Sequence, residues 1–490
     1  MTRASHGRLT TLANALGRQA AGGAKAGSAL SSLIDPLDRA QVWLAIAVLT
    51  GQLPDDETVI RVARTAELEP AREEKEFRAL ASADAKSRNV RVVSRDVVVD
   101  VGNTVRTNIT SGIQRVVRDT VSRWAAERDG ITLVAWTPEF TAMRGLTQRE
   151  AAVFGIVDAS LPDDEELTDL IVPWHATVVT PELAAEPDRA RRMRALGLFS
   201  RNAVGSVAFD LVPIVVSETT TPGMPDGFSR HLTALRHSQR IATISHSVAL
   251  EYEGWKSGLA AIGLAGPSVV AVPLPVQAGD VPADVIGEAE RQLRLGGLPM
   301  VLAVGSHEPR KNHLSILEAA ERLWREGHEF CLVFIGGHSW GSDEFVTRAA
   351  ALSASGRPIR IVTKASDDLI WAAYRLARFT VFPSFYEGFG LPAAESIAVG
   401  TPCITSNFGS MREIGEGGGA LLVDTYSDTE VRDAMRRLLT DDELLQQLRM
   451  QARSRPPRTW DDYARDLWND LVVPLRADVP DFLVPPVERR

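Results

Sequence analysis

The sequence contains little cysteine, no long apolar run and no excess of basic residues. Its two cysteines, Cys331 and Cys403, lie far apart in the chain, which excludes a disulfide framework or a cysteine-based metal cluster and favours a reducing compartment. No segment reaches the roughly 18 apolar residues of a membrane-spanning helix, and the best candidate, residues 42–50, has about half that length. The net charge of −9 disfavours a nucleic-acid-binding protein, so we expect no nucleic-acid partner.

What the sequence does contain is the composition of a folded, multidomain protein. Of its 490 residues, 44% are hydrophobic and 24% are charged, and a usual domain size of roughly 100–200 residues predicts two to four domains. Residues 1–34 carry basic but no acidic side chains, which is typical of a poorly ordered, soluble tail or of a weak anchor on anionic lipid. Residues 35–90 show helical spacing and form the predicted N-terminal helical region.

Strands and helices alternate over the rest of the chain in two blocks. Because such alternation is typical of a parallel sheet covered on both faces, we predict an α/β protein with two doubly wound domains. The predicted boundaries are a first domain at 91–280, a linker at 281–298, a second domain at 299–455 and a C-terminal helix with a tail at 456–490. We expect Trp460 and Trp468 to pack this helix back across the domain junction. The predicted strands include 96–101, 131–136, 170–179, 204–216, 240–244 and 269–274 in the first block and 300–304, 330–335, 359–363, 380–383 and 403–405 in the second.

Three loops at predicted strand ends of the second domain carry groups that suit a ligand, because ligands of open α/β sheets bind at the carboxyl ends of strands. In the first loop, Gly305 and Ser306 precede Arg310 and Lys311 at a helix start. Two cations and a helix N-terminus repel one another unless an anion such as a diphosphate binds there; a solvated basic turn is the alternative. The second loop, around Gly337, is equally consistent with a plain tight turn.

The third loop places Glu387 before a helix start at Pro392, with Glu395 on that helix. Gly388 and Gly390 permit a tight loop whose amides point at an anion. Two carboxylates with amides between them suit a ligand that has hydroxyl groups on both sides of a phosphate. The alternative is one loop glutamate and one unrelated glutamate on a helix surface.

The runs FYEGFGLPAAES at 385–396 and VGSHEPRKNH at 304–313 resemble a retaining GT-B-fold glycosyltransferase of family 4, the group with an E-x7-E motif. The resemblance covers about residues 95–475, and the second run is similar to the mannosyl- and rhamnosyltransferase branch of bacterial polysaccharide synthesis. It implies a GT-B architecture, in which two Rossmann-like domains face a cleft. The donor binds in the C-terminal domain of such proteins and the acceptor mainly in the N-terminal one.

Residue by residue, the resemblance implies a catalytic set and a donor site. Arg310 and Lys311 hold the donor diphosphate, and Glu387 contacts the transferred sugar. Glu395 hydrogen-bonds the ribose, and Gly112 lets the first domain close on the diphosphate. The implied catalytic residues are Glu387, Arg310, Lys311 and Asp210. The implied donor-binding residues are Gly112, Gly305, Ser306, Arg310, Lys311, Gly337, Glu387, Gly388, Phe389, Gly390, Leu391 and Glu395.

The sequence departs from the family's usual pattern at Phe209, where the family usually has a histidine. His175 and His246 are candidates to take over such a role, although each is more simply explained as structural. The family needs no bound metal and no cofactor, since cationic side chains and helix dipoles stabilise the leaving group. The departing phosphate accepts the proton of the acceptor hydroxyl on the same face of the sugar.

The implied reaction is the transfer of a hexosyl group from a nucleoside-diphosphate sugar to a saccharide or lipid-linked saccharide. GDP-mannose is the first expectation for the donor, with dTDP-rhamnose and UDP-sugars behind it. We expect the protein in the cytoplasm or at the inner face of the cell membrane; an oligomer and peripheral membrane contact both stay open. The alternatives are another sugar-nucleotide enzyme, of the epimerase or phosphorylase type, and a non-catalytic subunit with this fold.

Overall fold

The computed structural model of the protein describes residues 3–18, 33–69, 88–107, 112–279, 281–293 and 296–479. The N-terminal region contains the helices α1 (Arg3–Ala15), α2 (Arg39–Thr50) and α3 (Asp56–Leu68). Among the helices of these described residues, none is both long enough and apolar enough to cross a membrane.

The predicted poorly ordered tail is, over residues 3–15, a packed helix. Leu9, Leu12 and Ala13 are buried at helical spacing in one apolar cluster with α2, and Arg8 donates a 2.8 Å hydrogen bond to the carbonyl of Leu49. The tail prediction was therefore wrong for this helix, because a narrow apolar stripe is enough to dock a helix whose charges are all basic. Residues 19–32 of the predicted tail and residues 70–87 of the predicted helical region lie outside the described residues.

The first α/β domain is built on a sheet that has nine strands within the described residues, in the order β1-β5-β4-β3-β2-β6-β7-β8-β9. Strand β4 runs antiparallel to β3 and β5, and the other neighbours pair in parallel. The strands are β1 (Val90–Val93), β2 (Val97–Asp100), β3 (Ile131–Trp136), β4 (Met143–Arg144), β5 (Leu170–Pro173), β6 (Thr177–Thr180), β7 (Ala203–Ala208), β8 (Arg240–Thr243) and β9 (Ser268–Ala271). The helices are α4 (Gly102–Arg106), α5 (Gly112–Glu127), α6 (Gln148–Ala152), α7 (Pro187–Phe199), α8 (Val212–Val215), α9 (Met224–Leu235) and α10 (His246–Ala261).

Two of the strands predicted for this sheet have other bounds in the structure. The predicted strand 170–179 is divided into β5 and β6, because His175 between them adopts a left-handed φ of 51°. The predicted strand 204–216 ends at Ala208, since Pro213 lies in the first turn of the short helix α8. Strands β1 and β4 were missed, and β1 begins at the boundary predicted between the helical region and the first domain.

The second α/β domain has a parallel sheet with the order β12-β11-β10-β13-β14-β15. The strands are β10 (Met300–Val304), β11 (Cys331–Ile335), β12 (Ile359–Val362), β13 (Phe379–Phe382), β14 (Cys403–Ser406) and β15 (Ala420–Val423). The helices are α11 (Ala283–Leu293), α12 (His313–Arg325), α13 (Asp343–Ala354), α14 (Asp367–Leu376), α15 (Leu391–Ala398), α16 (Gly409–Glu416), α17 (Asp428–Thr440) and α18 (Asp442–Arg453). Two doubly wound sheets confirm the predicted α/β class.

The segment predicted as a linker, residues 281–298, contains helix α11. Ala289 and Leu293 of this helix are buried in one apolar cluster with Met300 of β10 and Leu369 of α14. The helix therefore belongs to the second domain, and, within the described residues, 272–279 and 281–282 lie between β9 and this helix. The sequence suggested a linker because the strand–helix alternation is interrupted there, but an interruption in alternation does not exclude a helix that covers the sheet.

The chain returns to the first domain at its C-terminal end through α19 (Trp460–Leu467), a π-helical turn at Trp468–Val472 and α20 (Val473–Asp478). Trp124 of α5 donates a 2.9 Å hydrogen bond to the carbonyl of Ala464 and meets Trp468 edge to face at 5.3 Å. A side chain at Gly205 of β7 would place its Cβ 2.3 Å from Leu475 Cδ1, so glycine permits the close approach of α20.

Candidate functional site

A cleft of about 840 Å³ lies between the two domains at the carboxyl ends of β10 and β13. Helix α5 and the end of β7 form its wall in the first domain, and the loops after β10 and β13 with helix α14 form its wall in the second. This is the position at which open α/β sheets bind ligands. The predicted site residues that line the cleft are Gly112, Asp210, Ser306, Arg310, Lys311, Glu387, Gly388, Phe389, Gly390, Leu391 and Glu395.

Arg310 and Lys311 converge on one carboxylate oxygen of Glu387. Arg310 Nη1 lies 2.7 Å and Lys311 Nζ 3.1 Å from Glu387 Oε1, and the three side chains are only 10–12% exposed. Burial alone would raise the pKa of Glu387, but the two cations outweigh it and lower this pKa to about 2. The cations are therefore not the self-repelling pair that the sequence suggested, because Glu387 lies between them.

The local backbone explains how Lys311 reaches this position. A 3₁₀ turn at Pro309–Lys311 carries both cations, and Gly305 before it has a φ of 139°. A Cβ at Gly305 would lie 3.0 Å from Lys311 Cδ, so glycine leaves room for the lysine stem. Ser384 Oγ donates to Glu387 Oε1 over 2.8 Å.

Gly305 and Gly337 of the predicted donor set do not line the cleft. The carbonyl of Gly337 accepts a 2.9 Å hydrogen bond from the amide of His307. The loop after β11 is thereby hydrogen-bonded to the loop after β10. Both glycines thus help to shape the loop that carries the cations without lining the cleft themselves.

Glu395 joins the two domains. Its Oε1 lies 2.7 Å from Arg115 Nη1 of α5 in the first domain, and its Oε2 accepts a 3.0 Å hydrogen bond from the hydroxyl of Tyr374 in the second. Burial raises the pKa of Glu395, although Arg115 opposes the shift. Gly112 begins α5 in van der Waals reach of Leu391, since a Cβ there would lie 3.4 Å from Leu391 Cδ1.

Asp210 faces the loop of Glu387 from the first domain. A Cβ at Gly388 would lie 2.9 Å from Asp210 Cβ, so only glycine lets these two segments approach this closely. One oxygen of Asp210 accepts a 3.2 Å hydrogen bond from the amide of Val212. Burial raises the pKa of Asp210, partly offset by the charge of Arg310.

The histidine candidates lie away from this cleft. Phe209, at the position of the family's usual histidine, lines the cleft but is 4% exposed and belongs to the apolar core. His175 is buried in the turn between β5 and β6, and His246 is exposed at the start of α10, where its amide donates to Glu413. Neither histidine is among the lining residues.

Sequence analysis missed the polar face of α5 and one face of α14. Arg115, Arg118 and Asp119 line the cleft beside Asp367 and Trp371. The spacing of the buried residues of α5 could have identified its outward face, but it could not have shown that this face meets a second domain instead of solvent. Across the described ranges of the chain, no three His, Cys, Asp or Glu side chains converge as they would around a metal ion.

Further contacts between the domains flank the cleft on the side of α10. Ser245 Oγ donates to the carbonyl of Gly388 over 2.8 Å, and the hydroxyl of Tyr386 donates to Glu251. The amide of Ser247 donates to Glu413 Oε2 over 3.0 Å, so a carboxylate of the second domain caps a helix of the first. These bonds hold the two domains together beside the cation pair.

Comparison with known proteins gives a family match over the second domain. Residues 286–455, which hold both cations and both glutamates, match the family Glycosyl transferases group 1. The chain is 25% identical over 342 residues to the serotype-specific mannosyltransferase WbdA of Escherichia coli, a match that covers 66% of this chain and 40% of that protein. It is 30% identical over 141 residues to the O-antigen chain mannosyltransferase B of Escherichia coli, covering 29% of this chain and 37% of that protein. The chain spans about two fifths of the length of the curated relatives it matches.

A solved structure defines the fold. Sucrose-phosphate synthase from Thermosynechococcus elongatus superimposes with a TM-score of 0.54 at 14% identity, covering 78% of this chain and 99% of that chain. The protein therefore has the GT-B fold with two Rossmann-like domains, as predicted. The group 1 match and the mannosyltransferase relatives support a glycosyltransferase of this fold.

Proposed function

We propose that the protein is a retaining hexosyltransferase that moves mannose or a similar sugar from a nucleoside-diphosphate sugar to a saccharide or lipid-linked saccharide. The observation that carries the proposal is the convergence of Arg310 and Lys311 in the cleft between the two domains. A diphosphate that enters this cleft meets a planar guanidinium fork and a compact ammonium charge side by side. The family match over the same domain supports this interpretation.

Glu387 gives the cation pair a partner until the donor binds. The donor diphosphate then competes with Glu387 for Arg310 and Lys311, and the released carboxylate accepts hydrogen bonds from hydroxyl groups of the transferred sugar. This exchange keeps both cations paired with an anion in both states, and the released carboxylate keeps the hydrogen bond from Ser384 besides those from the sugar. Glu395, which is held by Arg115 and Tyr374, accepts a hydrogen bond from the ribose when the donor binds.

In the proposed reaction the bond between the sugar carbon and the phosphate oxygen breaks, and a bond from that carbon to the acceptor oxygen forms on the same face. The acceptor hydroxyl gives its proton to the departing phosphate oxygen, so no protein base is required. Arg310 and Lys311 stabilise the charge that builds on the leaving diphosphate, without a metal ion or cofactor. Asp210, from the first domain, orients the acceptor hydroxyl.

The mannosyltransferase relatives support GDP-mannose as the first donor candidate, followed by dTDP-rhamnose and UDP-sugars. We propose that the product belongs to a surface polysaccharide or glycoconjugate and that the protein acts in the cytoplasm or at the inner face of the cell membrane.

A panel of sugar nucleotides tests the proposal. Thermal stabilisation and slow donor hydrolysis are measured with GDP-mannose, dTDP-rhamnose and UDP-glucose, with Lys311→Ala as the matched control. One nucleotide should raise the melting temperature saturably and be hydrolysed with retention of configuration. Stabilisation without hydrolysis or transfer would favour a non-catalytic subunit, epimerised donor would indicate the epimerase type, and a requirement for inorganic phosphate the phosphorylase type. No response to any nucleotide would contradict the donor site itself.

A further inference from the structure

Two aromatic side chains stand exposed on the loops that follow β14 and β15. Tyr426 is 77% and Phe408 58% exposed, whereas most aromatic rings of this domain, such as Phe330, Phe334 and Phe379, are buried. Exposed apolar side chains that lie together, in contrast to ones scattered singly, mark ligand or interaction sites. These two lie on the same edge of the sheet as the cleft.

The Tyr426 loop is fixed to the loop that carries the cations. The ring of Tyr426 stacks on Phe385 with ring centroids 4.8 Å apart and planes tilted by 31°. Asn312, directly after Lys311, donates a 2.9 Å hydrogen bond to the carbonyl of Thr425, and the amide of Phe385 donates to the carbonyl of Arg310 over 2.9 Å. The aromatic surface is therefore preorganised relative to the candidate site.

Polar side chains flank these rings. Asn407 and Asp424 are exposed beside them, and the two loops are joined by a 2.9 Å hydrogen bond from the amide of Asn407 to the carbonyl of Val423. The buried Ser410, at the start of α16, donates a 2.6 Å hydrogen bond to the carbonyl of Glu387, so the segment that follows Phe408 is tied to the loop that carries Glu387. We call this surface the rim platform and define it by Phe385, Asn407, Phe408, Asp424 and Tyr426.

We propose that the rim platform is a saccharide subsite that binds pyranose units of the acceptor chain outside the reaction centre. A pyranose ring has an apolar face of C–H groups and a rim of hydroxyls, which matches an aromatic face flanked by an amide and a carboxylate. The identification of the ligand as the acceptor chain rests on the function proposed above. The acidic Asp424, whose amide is bound by Glu430, disfavours an anionic lipid surface as the occupant.

Binding of α-linked mannotetraose and of methyl α-mannoside, followed by ligand-observed NMR on the full chain, tests the platform. Tyr426→Ala should weaken tetraose binding about fivefold to tenfold, the effect of one lost aromatic stacking contact. Tyr426→Phe, which keeps the ring, should bind within about twofold of wild type. Met450→Ala, which removes an exposed apolar side chain of α18 in the same domain, is the matched control, and Phe408→Ala is a second variant should Tyr426→Ala not fold.

The affinity for GDP and UDP is measured on the same samples to separate the two proposals. Unchanged nucleotide affinity with weakened tetraose binding supports the platform. If wild type binds no tetraose, or Tyr426→Ala binds it as wild type does, the platform proposal is overturned while the nucleotide data still judge the transferase. If tetraose binding depends on Tyr426 but no nucleotide binds, the transferase proposal fails and the platform stands as a saccharide site. A change of oligomeric state in Tyr426→Ala without a change in tetraose binding would identify a protein interface instead.

Discussion

Each domain buries a cluster of charged side chains, and the two clusters differ in what surrounds them. In the first domain, Arg189 lies 2.8 Å from Asp100 Oδ2 and 2.8 Å from Glu182 Oε1, and all three side chains are at most 1% exposed. Glu182 also accepts from the amides of Asn103 and Thr104 at the start of α4. This sealed cluster satisfies its carboxylates with protein donors alone.

The second cluster, of Arg310, Lys311 and Glu387, is also largely buried but opens into the cleft. Its two cations share Glu387 Oε1, Arg310 also bonds to the carbonyl of Tyr386 and to Glu308, and Glu308, Arg310 and Lys311 all line the cleft. Buried charge by itself therefore does not identify a binding site. A sealed cluster contributes to the stability of the fold, and an open cluster is available for a ligand.

Removal of one cation should affect the stability of the two clusters to very different extents. Arg189→Met leaves Asp100 and Glu182 buried without their charge partner, and it should lower the free energy of unfolding by about 3–5 kcal/mol. Lys311→Met should cost far less, about 1 kcal/mol or below, because Arg310 still pairs with Glu387 and water reaches the cleft. Urea unfolding of both variants measures the difference. Equal losses would contradict the distinction between the sealed and the open cluster.

The rate of sugar transfer should instead depend most on the cations of the open cluster. Lys311→Ala removes a charge that meets the leaving diphosphate, and we expect a loss of roughly 2–4 kcal/mol in transition-state stabilisation, by analogy with lost oxyanion donors. Because charge grows on the leaving group as the bond breaks, the loss should appear in kcat as well as in KM. Steady-state kinetics with the donor found in the nucleotide panel measures both.

Arg310 provides the control for this turnover experiment. Arg310→Ala should behave like Lys311→Ala, and Arg310→Lys should not restore activity fully, since the planar fork of the guanidinium is lost. Wild-type kinetics in Lys311→Ala would mean that no diphosphate binds at this turn.

The proposed exchange of Glu387 for the diphosphate at the open cluster predicts a smaller change, in nucleotide affinity. Glu387→Gln removes the carboxylate that competes with the diphosphate, so free nucleoside diphosphate should bind as tightly as to wild type or up to about tenfold more tightly. Sugar transfer should nevertheless fall, because the transferred sugar loses a charged hydrogen-bond acceptor. Glu395→Gln should instead weaken the free nucleotide if Glu395 holds the ribose. Calorimetric titration with GDP and UDP distinguishes these outcomes, and weaker nucleotide binding to Glu387→Gln would contradict the exchange.

The loops of the candidate site could be predicted from the sequence because parallel strands end on one edge of their sheet. Arg310 after β10 and Glu387 after β13 follow strands that are neighbours in the sheet, so their approach requires only the strand order. The sequence suggested that the two cations repel each other unless an anion binds. This was incomplete, because spacing along the chain does not show that Glu387 reaches between them.

The features that could not be predicted depend on contacts between segments far apart in the chain. The pairing of Arg115 with Glu395 requires the relative position of two domains, and no local pattern encodes it. Helix α11 was interpreted as a linker because a covering helix at a domain start has the same local signature as a connecting one. The stacking of Tyr426 on Phe385 likewise depends on the packing of two loops.

The carboxylate of Glu251, which accepts from Tyr386 across the two domains, provides the smallest effect and tests the contact between the domains. Burial raises the pKa of Glu251 from 4.5 to about 7, although the hydrogen bond from Tyr386 opposes this shift. Between these pH values the folded protein keeps a proton that the unfolded chain has released, so stability falls as the pH rises through this window. Because Glu251 is partly exposed to solvent, the contribution should not exceed about 1–2 kcal/mol.

Glu251→Gln should therefore flatten the decline of stability between pH 5 and pH 8, since a neutral amide does not titrate. Urea unfolding midpoints are measured across this range for wild type, Glu251→Gln and the control Glu253→Gln, whose side chain is 45% exposed on the same helix and pairs with Lys256. The control should keep the wild-type pH dependence. If Glu251→Gln declines as steeply as wild type, Glu251 is ionised throughout, and the contact of α10 with the Tyr386 loop does not depend on a proton held at that carboxyl.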